Sequence, residues 1–226
     1  MRGKLAVLEG IDSSGKSTQI KEITKHFDSL NLKYEHLHFP KYGHNEFSEV
    51  IAKFLRGEFG TVDEVDPYFV ANIYAMDRYL YLPELLQKLE DNDVVVLDRY
   101  VFSNLAFQGA KYEDIGKAAY IQSWIDDFEF EFLELPYPDL TIFLDVPIDV
   151  IEKRLKDREG EDRNYLKGLL DIHEEDISFQ KKVRDVYLSL EGAKNYHIIS
   201  CVKKDKVLLP EELFDTYKDL LNSILQ

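Results

Sequence analysis

The stretch GIDSSGKST at residues 10–18 constrains the fold of this chain more than any other part of the sequence. It matches the pattern G-x-x-x-x-G-K-[ST], in which glycines permit a tight turn and backbone amides face an anion. The apolar run LAVLEG (5–10) precedes the loop, and the segment from Ser17 to Leu30 has the spacing of a helix. A strand, a loop of this kind and a helix in this order predict a nucleoside-triphosphate site.

The residue types within the loop suit triphosphate chemistry. Lys16 carries the charge that reaches the β- and γ-phosphates, and the Ser17 hydroxyl is a ligand for Mg²⁺. Asp12 is unexpected, because a carboxylate here lies beside a site for negative charge; one reading is a turn in which it bonds its own backbone. The predicted ATP-binding set covers the whole loop: Gly10, Ile11, Asp12, Ser13, Ser14, Gly15, Lys16, Ser17 and Thr18.

Five short apolar runs predict buried strands, namely 5–10, 34–40, 94–99, 140–146 and 196–200. Helical spacing lies between them, including residues 66–90 with a break at Pro83, and residues 210–225. The alternation predicts an α/β fold with a five-stranded parallel doubly wound sheet flanked by helices. Such sheets bind ligands beyond the carboxyl ends of their strands.

Length and charge limit the organisation and the partners of the chain. Its 226 residues contain no repeat or linker, which predicts a single domain over 1–226. The net charge of −15 argues against nucleic acid or an anionic membrane as a partner. A single cysteine, Cys201, and the lack of a long apolar run predict a cytoplasmic protein without an internal disulfide.

The loop alone leaves GTPases, nucleic-acid ATPases and small-molecule kinases open. The sequence lacks the guanine-specifying pattern N-K-x-D, which argues against a GTPase. The acidic charge argues against an ATPase that acts on nucleic acid. A kinase that phosphorylates a small anion is therefore the leading interpretation.

Four further stretches give a more specific resemblance: HFPKYG (38–43), NIYAMDR (72–78), LDRYVFSNLAFQGAK (97–111) and PDLTIFLDVP (138–147). Together with the loop, in this order and spacing, they resemble the thymidylate kinases from the first strand to about Tyr187. The resemblance implies a P-loop nucleoside-monophosphate kinase fold with a small mobile lid. It also implies transfer of the γ-phosphoryl group of ATP to dTMP with Mg²⁺, giving dTDP and ADP for dTTP synthesis, and a homodimer.

Roles around the phosphates are carried over by the same resemblance. Asp98 would act on Mg²⁺ together with Ser17, and Arg99 would hold the acceptor phosphate. A bland alternative is an ion pair between Asp98 and Arg99, but adjacent residues at a strand end point to opposite faces. Asp12 would accept a hydrogen bond from the 3′-hydroxyl of the acceptor.

The resemblance implies a binding site for the acceptor nucleoside as well. Tyr74 would stack on the thymine ring, Arg78 would donate to its 4-oxo group, and Phe107 would leave no room for a 2′-hydroxyl. Tyr74 as a core residue and Arg78 as a surface charge are the plain alternatives. The implied dTMP-binding set is Asp12, Phe39, Pro40, Lys41, Tyr74, Arg78, Arg99, Ser103, Phe107 and Gln108, with Asn104 as a further candidate.

Two positions depart from part of the family. Lys41 replaces the arginine of an F-P-E-R motif, and Ser13 replaces a loop arginine that some members use in catalysis. Members without that arginine supply the charge from the lid, which here is the arginine-rich run from 154 to 163 within a lid of about 154–176. We therefore predict Arg154 at the ATP site. The predicted catalytic set is Lys16, Asp12, Arg99, Arg158 and Arg163.

Other functions remain open at this point. The run at 154–163 is also compatible with a solvated surface loop. A deoxynucleoside kinase, another nucleoside-monophosphate kinase or a nucleotide-binding module without turnover would share the loop. The module is disfavoured because it needs no second binding site.

Overall fold

A computed structural model of the chain describes residues 2–157 and 176–225. Five strands form one parallel sheet in the order β2-β3-β1-β4-β5, which confirms the predicted sheet. The predicted residues Arg158 and Arg163 lie outside the described residues, as does the predicted lid between 158 and 175. The strands are β1 (Lys4–Glu9), β2 (Tyr34–His38), β3 (Val94–Asp98), β4 (Leu140–Asp145) and β5 (Tyr196–Ser200).

Helices cover the sheet. They are α1 (Lys16–Ser29), α2 (Glu46–Leu55), α3 (Pro67–Asp91), α4 (Val101–Gly109), α5 (Ile115–Asp126), α6 (Ile148–Asp157), α7 (Ile177–Ser189) and α8 (Pro210–Ile224). A π-helical turn, Asp127–Phe132, continues α5, and a small antiparallel hairpin pairs β6 (Val202–Lys203) with β7 (Lys206–Val207). Within the described ranges, no helix has the length and apolar character needed to cross a membrane.

The strand order places one cleft at the carboxyl edge of the sheet. β1 and β3 are neighbours. The connection after β1 leads to β2 and the connection after β3 leads to β4, so the two run in opposite directions along the sheet. The register sets Leu8 opposite Asp98, and Asp98 opposite His38. Parallel sheets bind ligands where neighbouring connections diverge in this way. The loop after β1 and the acid that ends β3 therefore face the same space.

The structure corrects one prediction about α3. Residues 67–91 form one helix that continues through Pro83, where the sequence predicted a break. Pro83 is on the exposed side, where water can satisfy the carbonyl that loses its N–H partner. Tyr81, Leu85 and Leu89 are buried on the other side and hold both halves of the helix against the sheet. Tertiary packing thus outweighs the local penalty of proline.

The start of α3 is as the sequence predicts. The Asp66 side chain accepts hydrogen bonds from the amides of Tyr68 (2.8 Å) and Phe69 (3.1 Å), and Pro67 occupies the first helical position. The Asp66 side chain thus satisfies two amides at the start of the helix. Pro67 has no N–H, and an N–H at the first helical position would have no partner within the helix. The cap fixes where the helix that carries Tyr74 and Arg78 begins.

Two apolar clusters stabilise the fold. The larger one surrounds the sheet, and the smaller one joins α2 to α3. Tyr42 and Tyr74 pack on the edge of the smaller cluster, so the α2–α3 pair supports one wall of the cleft. Buried members of the smaller cluster are Ile51, Phe54, Leu55, Val65, Val70 and Ile73.

Lys111, after α4, yields a stability prediction. Its Nζ is buried without a hydrogen-bond partner among the described residues and lies 5.1 Å from the centre of the Phe54 ring. Burial lowers its pKa from 10.5 to about 8, against the attraction of Asp63 and Asp66. The folded state therefore bears the full cost of this charge below pH 8, and loses that cost as pH rises toward 10.5.

We expect Lys111→Met to raise the free energy of unfolding at pH 7 by on the order of 2 kcal/mol. The gain should fall as pH rises above 8 and be largely lost near pH 10.5, where the amine is neutral in the folded state and half neutral in the unfolded state. Urea unfolding at the two pH values measures both effects. The exposed Lys117→Met is the matched control and should change little. Equal gains at both pH values would contradict the explanation.

Candidate active site

A cavity of about 730 Å³ opens at the carboxyl edge of the sheet. It brings together most of the residues that the sequence predicted, from the phosphate loop to α4. The predicted residues that line it are Asp12, Ser13, Ser14, Gly15, Lys16, Ser17, Thr18, Phe39, Pro40, Tyr74, Arg78, Asp98, Arg99, Ser103, Phe107, Gln108 and Arg154, together with the further candidate Asn104. Gly10, Ile11 and Lys41 do not line it.

The loop from Gly10 to Lys16 is closed around its lysine. Lys16 Nζ donates to the carbonyl oxygens of Gly10 and Ile11, both at 3.1 Å. Gly15 has φ 97° at the start of α1, a conformation that glycine adopts without strain. At Gly10 a Cβ atom would collide with the Ser14 hydroxyl. Gly10 and Ile11 therefore hold the lysine through their backbone instead of facing the cavity.

Charged side chains near the loop shift the pKa values of Lys16 and Asp98. Burial, with the positive charge of Arg99, lowers the pKa of Lys16 to about 8, while Asp98, Asp12 and Glu9 counteract it. Burial alone would raise the pKa of Asp98. A hydrogen bond from His38 and the charge of Lys16 nonetheless hold that pKa well below its ordinary value. Asp98 is therefore an ionised carboxylate beside the lysine.

Asp98 keeps one oxygen available. Its Oδ2 lies 3.5 Å from His38 Nδ1, and its buried Oδ1 has no hydrogen-bond partner among the described residues. Ser17 follows on the first turn of α1 and is exposed to the cavity. An ionised carboxylate oxygen and a hydroxyl on the two sides of the cleft are the protein ligands that Mg²⁺ takes beside nucleotide phosphates. The donor set therefore fits a magnesium–nucleotide complex.

Arg99 bridges the loop and α4. Its Nη2 donates to Asp12 Oδ1 at 2.6 Å and its Nη1 to Ser103 Oγ at 3.3 Å. The guanidinium carbon lies 5.3 Å from the centre of the Phe107 ring. Arg99 has φ 68°, which costs a residue with a side chain about 1–3 kcal/mol. The ion pair of Arg99 is thus with Asp12, 87 positions away, and not with the adjacent Asp98.

Sequence reasoning did not assign a site role to Glu9, at the end of β1. This fully buried carboxylate accepts hydrogen bonds from the amides of Tyr100 (2.9 Å) and Ser103 (3.1 Å). Its second oxygen accepts from Ser103 Oγ (2.5 Å) and from Tyr187 Oη (3.0 Å). Glu9 thereby fixes the start of α4 relative to the phosphate loop. Its place as the last residue before the loop is the signal that could have found it.

α7 attaches to the same edge through further side chains that were also missed. Gln180 Nε2 donates to Asp12 Oδ2 at 2.9 Å, and the Asp12 amide donates back to Gln180 Oε1 at 3.3 Å. Arg184 donates to both oxygens of Asp145 at 2.6 and 3.1 Å. With Tyr187, these residues lie at spacings of four and three, so one face of the helix carries all of them.

The far end of the cavity is bounded by α3 and α4. Tyr74 and Phe107 supply rings there, and the buried Gln108 Oε1 has no hydrogen-bond partner in the described part of the chain. Arg78 lines this end too, but two of its nitrogens bind Glu129, a buried acid that the sequence did not single out.

Lys41 points elsewhere. Its amide donates to Asp77 Oδ2 at 2.9 Å, and its Nζ lies 4.5 Å from the centre of the Tyr81 ring. Tyr42 lines the cavity at this point of the chain. The structure therefore places no Lys41 charge in the cavity, where the resemblance implied one.

The opposite end of the cavity is more apolar. Arg154 reaches over the loop, and its Nη1 donates to the Ser13 carbonyl at 3.0 Å. Beyond it the chain after β5 supplies Cys201, Val207, Leu208, Pro210 and Leu213, none of which the sequence predicted. Burial raises the pKa of the Cys201 thiol to about 12, so it is a neutral wall residue.

The cavity combines a phosphate loop and its lysine with an acid on the neighbouring strand, and its far end carries arginines and aromatic rings. These features define a P-loop kinase. The sequence model of the thymidylate kinase family matches residues 8–209. The chain therefore belongs to the thymidylate kinase family, and it is an enzyme of the kinase class.

Individual relatives agree with this assignment. Thymidylate kinase of Mycobacterium tuberculosis is 31% identical over 188 residues, covering 82% of this chain and 85% of the relative. Thymidylate kinase of Ligilactobacillus salivarius is 30% identical over 226 residues, covering all of both chains. The solved structure of thymidylate kinase from Candida albicans has a TM-score of 0.68 at 22% identity, covering 100% of this chain and 94% of that one. This likeness confirms the P-loop nucleoside-monophosphate kinase fold.

Proposed function

We propose that the cavity binds ATP and dTMP together and transfers the γ-phosphoryl group to the dTMP phosphate, giving ADP and dTDP for dTTP synthesis. The observation that carries this proposal is the position of Arg99. It lies between the phosphate loop and the ring-lined end, bound to Asp12 and Ser103 and close to Phe107. A guanidinium at that point suits a phosphate that must approach the loop from the far end.

We assign the donor nucleotide to the loop and to the apolar end. The loop amides and Lys16 would hold the β- and γ-phosphates, and Arg154 would add charge above them. Val207, Leu208 and Leu213 offer an apolar wall of the kind that buries a nucleotide base. Ser17 and Asp98 would hold Mg²⁺, which neutralises charge on the phosphate oxygens when bound.

We assign the acceptor to the end lined by α3 and α4. Tyr74 would stack on the base, Arg78 would donate to it, and Phe107 would lie against the deoxyribose. Phe39, Pro40, Ser103 and Gln108 complete the predicted contacts. Lys41 contributes no cavity contact, and Arg99 therefore supplies the positive charge for the acceptor phosphate.

Asp12 has both oxygens engaged, by Arg99 and by Gln180. An ionised carboxylate only accepts hydrogen bonds, and a sugar hydroxyl is a donor that suits it. We infer that Asp12 orients Arg99 and receives the 3′-hydroxyl of dTMP. The acceptor phosphate is itself a nucleophile, so the chain needs no general base, only positioning and charge.

We propose that the remaining charge comes from a lid of about 154–176. Ser13 replaces a loop arginine, and Arg154 already reaches the Ser13 carbonyl from α6. Arg158 and Arg163, which lie outside the described residues, would add charge at the transferring phosphoryl group. The lid would also exclude water, which otherwise accepts the phosphoryl group.

The assembly proposed with this function is a cytoplasmic homodimer of one kinase domain over 1–226. The family resemblance supports the dimer. The single cysteine, Cys201, whose thiol is free, supports a reducing compartment.

An acceptor panel tests the proposal. We expect dTMP to give the highest kcat/KM in an ADP-release assay against dUMP, dCMP, AMP and thymidine. Preference for thymidine would identify a deoxynucleoside kinase, and preference for AMP another monophosphate kinase. ADP release that no acceptor stimulates would contradict the proposed transfer.

A further inference from the structure

We propose that Glu129, in the π-helical turn after α5, is a positioning residue that determines which pyrimidine the acceptor end takes. It does so by fixing the directions of two cavity residues, Arg78 and Asn104. The inference rests on the proposed function and adds a positioning residue to it.

Glu129 is the centre of a buried polar cluster. Its Oε2 accepts from Arg78 Nε at 2.6 Å, and its Oε1 accepts from Arg78 Nη2 at 2.6 Å and from Asn104 Nδ2 at 2.8 Å. Glu129 is 0% exposed and Arg78 3% exposed. A bidentate carboxylate–guanidinium contact has a fixed geometry, and a third donor restricts it further. Removing any member would leave buried polar atoms unpaired.

The cluster leaves one polar atom on each partner without a hydrogen bond to the described residues. Arg78 lines the cavity and spends Nε and Nη2 on Glu129, so among the described residues its Nη1 is the nitrogen without a hydrogen bond to the protein. Asn104 Nδ2 also donates to the Ala71 carbonyl at 3.0 Å. Both amide hydrogens are used, and Oδ1 remains buried with no partner in the described ranges. Glu129 therefore holds two cavity-lining residues that keep a donor, Arg78 Nη1, and an acceptor, Asn104 Oδ1, unused by the described part of the protein.

The backbone around Glu129 is also unusual. Residues 127–132 form a π-helical turn, closed by a 2.9 Å bond from the Leu133 amide to the Phe128 carbonyl. Such turns recur at functional sites because the extra residue redirects side chains. Here an acid lies in the core while Phe132, three residues on, is 75% exposed. A reversed polarity pattern of this kind is expected where function overrides packing.

The donor and acceptor match one class of base. A 4-oxo pyrimidine presents an acceptor oxygen beside an N3–H donor, which pairs with Arg78 Nη1 and Asn104 Oδ1. Cytosine presents an amino donor beside an N3 acceptor, which opposes both. A site with fixed buried polar groups rejects a mismatched analogue strongly because its own groups stay unpaired. Glu129 thus favours thymine and uracil over cytosine.

The test compares dTMP with dCMP in the wild-type enzyme, in Glu129→Gln and in the control Glu131→Gln, which removes an exposed acid of the same turn. We expect Glu129→Gln to raise the KM for dTMP and lower its kcat/KM about 10- to 100-fold, the range for hydrogen bonds to charged groups. The KM for ATP should not change. The dTMP:dCMP ratio of kcat/KM should fall, and Glu131→Gln should match wild type.

An equal loss for both acceptors would overturn the proposal, because it would make Glu129 merely structural. If Glu129→Gln does not fold, Glu129→Asp keeps the charge but shortens the reach, and the same fall in the ratio is expected. An unchanged ratio there would also overturn it. Wild-type turnover separates the two ideas: inactivity toward dTMP contradicts the proposed function, whereas a selective wild type with an equally selective variant contradicts only the role of Glu129.

Discussion

Replacing Lys16 with alanine is expected to reduce kcat by about a hundredfold to a thousandfold, the range seen when one preorganised donor to a developing charge is removed. Lys16 Nζ is held at the centre of the loop by the Gly10 and Ile11 carbonyls. Its ammonium group costs no reorganisation when charge moves onto the transferring oxygens. The change deletes that charge and leaves two carbonyls without their donor. Steady-state ADP release at saturating ATP and dTMP measures the loss.

Lys21→Ala is the matched control, since Lys21 is an exposed lysine on the same helix. It should retain wild-type turnover. Thermal unfolding of both variants separates a catalytic effect from a collapsed loop. A folded Lys16→Ala enzyme with kcat near that of wild type would refute the assignment of the phosphate site.

Replacing Arg99 with methionine is expected to lower kcat/KM for dTMP by about a hundredfold, at the lower end of the range for removing one partner of a hydrogen-bonded charge pair, because this pair is only partly buried. The guanidinium uses separate nitrogens for Asp12 and Ser103. Methionine removes the proposed phosphate contact and the bond from Arg99 Nη2 to Asp12 Oδ1. The loss should fall mainly on dTMP, while the KM for ATP changes little.

Arg99→Lys refines this prediction. A lysine restores one charge but not the planar fork, so it should recover only part of the loss. Arg2→Lys, at an exposed position, serves as the control and should leave the kcat/KM for dTMP unchanged. An Arg99→Met enzyme with unaltered dTMP kinetics would show that the acceptor phosphate binds elsewhere.

The sequence predicted the sheet well because its strands carry strong local signals. The runs at 94–99 and 140–146 are nearly all apolar, and strands covered on both faces need such composition. The phosphate loop is equally local, since its glycines, Lys16 and Ser17 are contiguous. Pro83 shows the limit of this reasoning, because buried neighbours from distant segments keep α3 continuous through it.

Site residues that act through long-range pairs were out of reach. Adjacent side chains diverge at a strand end, so the sequence argued against an Asp98–Arg99 pair, but nothing local identifies Asp12 as the partner of Arg99. In the sequence, Glu129 is one of several acids in a run of aromatic and acidic residues. Only the fold brings it to Arg78, 51 positions away. The apolar end of the cavity was missed for the same reason, because Val207 and Leu208 are ordinary residues in sequence.

The left-handed backbone at Arg99 has a consequence for how this enzyme can change. Glycine would relax φ 68° at no steric cost, and asparagine at a reduced one. Either would also delete the guanidinium that bonds Asp12 Oδ1 and that we assign to the acceptor phosphate. Relief of backbone strain and retention of the ion pair therefore favour different residues at this position. A library screened for turnover would be expected to keep the arginine and to accept the strained backbone.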